Sequence, residues 1–249
     1  MAKKETKDVV AKTDTALAEY AEGSWGSDSI ESQDLSIPRL LVMQGLSDLV
    51  TEGKAAMGEF RSSLDAKLLG GEKKPVEFVV FNSFKDWMIM EDGDYVQTVP
   101  VTPENEAWQF EEVVAGKLVK RMKGINYYVL LVSDIEAGEA FPYILTFRST
   151  SFNAGKKLAT HLAKLRMFKQ PSAAQVFALS ATREKNDKGT FMVLNVAPSR
   201  KATEVEKAAA YQWYQGLKVT KNVKVADEVP TQVASARVKA DTVMENTEY

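Results

Sequence analysis

Apolar and polar positions alternate with a period of two along several stretches of this chain, and with a helical period along others. Pro75 to Met90 is rich in Val, Phe and Ile and predicts one long strand. Asn82 and Ser83 in its middle predict a bend, a bulge or a break into two strands. Lys85, Trp87 and Ile89 share one face of its second half. Glu91-Asp92-Gly93-Asp94 predicts a turn, and residues 98–112, with Pro100, Pro103, Glu104, Glu106, Glu111 and Glu112, an irregular acidic loop leading into a strand. Phe110–Val114, Ala115-Gly116 and Lys117–Lys123 read as a β-hairpin, Gly124 as a break, and Ile125–Val132 as a further apolar strand. In the last, Ile125, Tyr127, Val129 and Leu131 point to one side and Tyr128 to the other. Lys120 lies on one face of the hairpin's second arm and Arg121 and Lys123 on the other, a pattern that suits an exposed or edge strand.

A strand over Phe141–Arg148 is followed by a helix over Ser151–Phe168, with Ser149, Thr150 and Ser151 offering N-cap oxygens. Leu158, Leu162 and Leu165 form its apolar stripe, and Lys157, His161 and Lys164 a polar, basic one, which makes His161 a surface residue. Val176–Arg183 and Thr190–Ala197 predict a hairpin around Asn186-Asp187-Lys188-Gly189. Residues 202–218 predict a second helix, opened by a Thr203/Glu206 capping box and packed through Tyr211, Trp213, Tyr214 and Leu217. Upstream, Ile37–Gln44 reads as a short buried segment and Met57–Leu64 as a short strand. Residues 1–36 and 219–249 lack apolar periodicity and predict a mobile leader and a mobile tail around a central domain over 37–218.

Composition narrows the chemistry. With 249 residues and 45% hydrophobic content the chain can build a sizeable core. It has no cysteine and one histidine, which excludes disulfides and thiolate chemistry and disfavours a histidine-based metal site. The acids at 91–94 and 104–112 lack EF-hand spacing, and Gly53-Lys54 and Gly155-Lys156-Lys157 lack the first glycine of a phosphate loop. No apolar run approaches a membrane span, and the Lys-rich start lacks the apolar core of a signal peptide, so the expectation is a cytoplasmic protein of a bacterial cell. No catalytic constellation is visible, so no enzyme, cofactor or metal is expected. Charge carries the positive signal. Residues 148–201 hold eleven Lys and Arg against Glu184 and Asp187, a local balance of +9 in a chain of net charge −2. Such asymmetry points to a polyanion.

The opening pattern Pro38-Arg39-Leu40, Gln44-Gly45-Leu46-Ser47, Gly53-Lys54-Ala55 and Gly58-Glu59-Phe60 resembles that of single-stranded DNA-binding proteins of tailed bacteriophages. The resemblance covers about 25 residues and the general order of strands, helix and hairpin after them, and implies an OB-type fold. The expected architecture is therefore a β-rich α+β domain, an OB-like five-stranded barrel elaborated by a hairpin and two helices. Such a protein neutralises phosphates with cations and stacks bases on aromatic rings. The candidate interface is Lys85, Trp87, Lys120, Arg121, Lys123, Tyr128, Arg148, Phe152, Lys156, Lys157, Lys164, Arg166, Arg183, Lys185 and Lys188, with Trp87, Tyr128 and Phe152 as the stacking residues. The expected partner is single-stranded DNA, bound without sequence preference in phage-type replication or recombination. The tail, ending Glu245-Asn246-Thr247-Glu248-Tyr249, is the expected contact for replication proteins, although it is only weakly acidic. The alternatives are a virion or assembly protein and a strand-annealing recombinase, and either a monomer or a homo-oligomer fits the sequence.

Overall fold

A computed structural model describes residues 36–187 and 189–219; the predicted leader up to residue 35, the tail from residue 220 and Lys188 lie outside the described residues. Among the described residues ten strands are formed: β1 (Arg39–Val42), β2 (Phe60–Ser62), β3 (Leu68–Gly70), β4 (Val76–Glu91), β5 (Asp94–Pro100), β6 (Glu111–Val114), β7 (Lys117–Leu131), β8 (Pro142–Phe147), β9 (Gln175–Asn186) and β10 (Gly189–Lys201). The α-helices are α1 (Asp48–Thr51), α2 (Val132–Glu136), α3 (Phe152–Met167) and α4 (Glu204–Val219). The class is β-rich α+β. All ten strands belong to one mixed sheet of order β10-β9-β4-β7-β8-β1-β2-β3, with β5 beside β4 and β6 beside β7. Only β1 and β8 run parallel; every other pair is antiparallel.

The ladder is open, with ten strands where five in a closed barrel were expected. The short, glycine-punctuated segment before residue 75 adds β1, β2 and β3 beyond β8. The sheet nevertheless curls. The Gln44 side chain, just past β1, donates to the Met192 carbonyl (3.0 Å) and accepts from the Met192 amide (2.8 Å). A side-chain amide thus stands in for a strand at the outer edge of β10.

Alternation sorts the sheet into two covered faces. On one, Phe78 and Val80 of β4, Tyr127 and Val129 of β7, Leu145 and Phe147 of β8 and Phe177 and Leu179 of β9 pack with Ala154, Leu158 and Leu162 of α3. On the other, Val79, Phe81 and Leu130 pack with Ala210, Trp213, Tyr214 and Leu217 of α4 and Val132 and Ile135 of α2. The expected faces of β7 are the observed ones: Tyr127 is in the α3-side core and Tyr128 in the α4-side core. Burial pushes the Tyr127 phenol up to about 12, and its hydroxyl donates to the Gly155 carbonyl (2.8 Å).

β4 is one continuous strand. The register shift between Val80 and Asn82 is a bulge beside the expected position, and it bends the strand without ending it. β7 is likewise continuous through Gly124, where a break was expected. It is also an interior strand, flanked by β4 on one side and by β6 and β8 on the other, which corrects the edge-strand reading of its lysines. Past the core, β4 and β7 project together, with β5 and β6 on their flanks, as a four-stranded arm. Both arm hairpins turn through two left-handed residues, Asp92-Gly93 (φ 51° and 101°) and Ala115-Gly116 (φ 51° and 82°), the geometry that matches strand twist. Residues 98–100, expected to begin an irregular loop, are instead the end of β5.

The N-terminus of α3 departs from expectation. Ser149–Ser151 forms a 3₁₀ turn, and no side chain caps the helix; the Ser151 hydroxyl instead accepts from the Leu194 amide (3.1 Å), tying helix to β10. The α4 capping box is present: the Glu206 carboxylate accepts from the Thr203 amide (2.6 Å) and the Thr203 hydroxyl from the Glu206 amide (3.3 Å). Arg200 of β10 adds a two-pronged contact to Glu206, at 2.6 and 3.0 Å. That guanidinium, assisted by Thr203 and opposed by burial, brings the Glu206 carboxyl down to about 2 from an ordinary 4.5. A depressed folded-state value means that this stabilisation is complete above the unfolded value and is lost as pH falls through the folded one. Chemical denaturation of wild type and Glu206→Gln should therefore differ most near neutral pH, and the difference should shrink between pH 4.5 and about 2.

Candidate nucleic-acid interface

The fold separates the candidate cations into two sets. On the arm Lys120 and Arg121 are neutralised, while Lys85 and Lys123 form no ion pair among the described residues. Lys120 pairs with Glu111 across the β6–β7 ladder (2.8 Å), Arg121 with Glu112 (2.6 Å), and neighbouring Lys117 with Glu91 (3.0 Å). Arg121 also lies 4.9 Å from the Trp108 ring centre, and Lys123 5.2 Å from that of Trp87. Lys85 is exposed beside them.

Trp87 is not available for stacking: it is 5% exposed, with its ring 6.3 Å from that of Trp108. The predicted face is right, but Trp108, supplied by the loop before β6, covers it. Tyr128 is half-buried between Phe81 and Phe84, with ring centres at 5.9 and 5.2 Å, and burial raises its phenol. Phe152 is half-buried against the α3-side core, and the Lys156 ammonium sits 5.0 Å from its ring. The stacking candidates are thus committed to internal contacts.

Arg148 is also internal. It leaves the end of β8, crosses Gly124 and meets Asp86 of β4 at 2.6 Å, both side chains nearly buried. A Cβ on residue 124 would lie against Asp86 Oδ1 and 2.7 Å from Arg148 Nε, so only glycine leaves the passage open. The glycine that resembled a strand break is the site where a buried ion pair crosses β7.

The second set lies on α3 and the β9–β10 hairpin. Lys156, Lys157, Lys164 and Arg166 are exposed on α3, and Arg183 and Lys185 near the hairpin tip. Among the described residues none of these six forms an ion pair. Arg183 is the cross-strand partner of Met192, a member of the α3-side core, so alternation puts Arg183 and Lys185 on the sheet face that carries α3. His161 is half-buried, its ring 6.1 Å from that of Phe177, so it belongs partly to the core rather than wholly to the surface. The sequence signal for this set is stronger than a count of cations: from Ala140 to Arg183 there is no acidic residue at all.

Two residues outside the candidate set stand out on the same helix end. Met167 and Phe168 are 81% and 76% exposed. Their positions are off the Leu158/Leu162/Leu165 stripe, a signal that was present in the periodicity. Among the described residues no three His, Cys, Asp or Glu side chains converge in a way that could hold a metal ion, and no helix is long and apolar enough to cross a membrane.

Together these features define a class: a β-rich α+β protein with one large mixed sheet and a cationic helix-and-hairpin face. The chain belongs to the Pam3 phage gp34-like protein family, whose model matches residues 4–224. That is a family of phage proteins. No curated protein and no solved structure matches the chain.

The ion pair at the root of the arm generates a stability test. Asp86→Ala leaves Arg148 beside buried apolar surface without its carboxylate, and should lower unfolding free energy by about 3–5 kcal/mol in urea denaturation. A loss below about 1 kcal/mol would assign the pair no structural role.

Proposed function

We propose that this protein binds single-stranded DNA without sequence preference during phage replication or recombination in the cytoplasm of the host cell, as a binder rather than an enzyme. One observation carries the reading: six exposed cations on one face, Lys156, Lys157, Lys164, Arg166, Arg183 and Lys185, have no ion-pair partners among the described residues, whereas the arm cations Lys117, Lys120 and Arg121 are all paired. Unpaired cations leave a positive field for phosphate, and paired ones largely cancel theirs.

The fold supports an OB-type core within the larger sheet. Five antiparallel strands, β10-β9-β4-β7-β8, are neighbours in that order. The first of them in sequence is bent by the bulge near Phe81, and α3 falls between β8 and β9 and covers the core. In such folds loops joining barrel strands grip oligonucleotides, and here the β9–β10 tip is one of these. Lys188 and the tail proposed to recruit replication proteins lie outside the described residues.

A second reading, a virion or assembly component, is favoured by the arm. Phe110, Val113 and Val114 are exposed there, and among the described residues no strand pairs with the outer edge of β6. Fluorescence anisotropy with a labelled oligothymidine and a matched duplex separates the readings. The single strand should bind more tightly, and log affinity should fall against log salt with a slope of about −4 if all six cations contact phosphate. Lys164→Gln with Arg166→Gln should make the slope shallower by about 1.4. Absence of binding to either strand, with defined oligomers in light scattering, would favour the assembly reading; large rings or filaments formed on DNA would favour a strand-annealing recombinase.

A further inference from the structure

We infer that the C-terminal end of α3 is a nucleobase-stacking site, with Phe168 as the stacking ring and Lys164, one helical turn before it, and Lys169, the next residue, for the flanking phosphates. The inference rests on the single-strand reading and goes beyond it by assigning the residue that distinguishes an unstacked base from a phosphate backbone.

The aromatic residues nearest the cationic face in the sequence pattern are spent inside the molecule: Trp87 is covered by Trp108, Tyr128 lies between two phenylalanines, and Phe152 packs on the core. Phe110, Tyr211 and Trp108 do reach solvent, but Phe110 and Trp108 lie beside the neutralised arm and Tyr211 on α4. Among the described residues Phe168, at 76% exposure, is the exposed ring that sits beside unpaired cations.

The ring is held on a closed turn. The Phe168 amide donates to the Lys164 carbonyl (3.2 Å), the Lys169 amide to Arg166 (2.9 Å) and the Gln170 amide to Leu165 (2.9 Å). Lys169 is left-handed, with φ 56°. This is the hydrogen-bond pattern of a Schellman end, and Pro171 follows it. These three bonds hold the backbone beneath Phe168, so the point from which the exposed ring projects is set before any ligand arrives. Glycine is the favoured residue at the left-handed position, yet lysine occupies it, placing one more cation beside the ring. An aromatic face with surrounding cations fits an unpaired base of any sequence, because every base has a π-face. A base stacked within a duplex does not offer that face.

The test compares wild type, Phe168→Ala and Phe168→Trp in anisotropy titrations with an oligothymidine and with an abasic deoxyribose-phosphate strand of equal length. Phe168→Ala should weaken oligothymidine binding by about 5- to 100-fold and leave abasic-strand binding unchanged. Phe168→Trp should keep oligothymidine affinity within about threefold and show quenching of the added indole on binding. Wild-type binding with an unchanged Phe168→Ala affinity overturns the stacking site alone, as does an equal loss on both strands. Failure of wild type to bind any strand overturns the single-strand reading together with it.

Discussion

Thirteen register pairs join β4 to β7, and the rest of the molecule depends on that ladder. Its inner half, buried on both faces, supplies the residues against which α3 and α4 pack. Its outer half leaves the core and becomes the arm. The bulge near Phe81 bends the ribbon, and Gly124 lets Arg148 cross it to Asp86 where core becomes arm. An ion pair this poorly exposed contributes little net stability over an apolar pair, but removing one partner is costly. It therefore fixes the register of β8 against β7 and β4 at that crossing.

Sheet pairing also decides which cations remain available. In β6, Glu111 and Glu112 lie opposite or diagonal to Lys120 and Arg121, and the charge of those two cations is consumed locally. Such exposed pairs add little to stability, generally under about 1 kcal/mol each, but they remove the field that a phosphate would meet. The stretch from Ala140 to Arg183 has no acid to spend in this way. Apart from Arg148, which reaches Asp86, its cations therefore face solvent from α3 and the hairpin, and a chain with net charge −2 still presents a positive surface.

Much of this was legible in the residues. Strong periodicity located α3, α4 and the β9–β10 hairpin, and the Thr203/Glu206 box marked the start of α4. Alternation assigned the faces of β7 correctly. The short elements β3 and α2 carry too few residues for a period to show, and β5 was hidden by acids and prolines that mark a loop. Gly124 was misread because a glycine that makes room for a distant side chain has the same local signature as one that ends a strand. Trp87 was misplaced for a related reason: period two identifies a shared face, but only the fold reveals that Trp108 covers it. The pairing of Arg121 and Lys120 with β6 is likewise a consequence of register, not of composition.

In the proposed function the unpaired cations, and not the paired ones, meet the nucleic acid. Amide hydrogen exchange of the full chain, with and without saturating oligothymidine, tests it most directly. New protection is expected over α3 and the Schellman turn that ends it, and over the outer part of the β9–β10 hairpin, with β5 and β6 unchanged. Protection confined to the arm, or no change anywhere under saturating conditions, would contradict it.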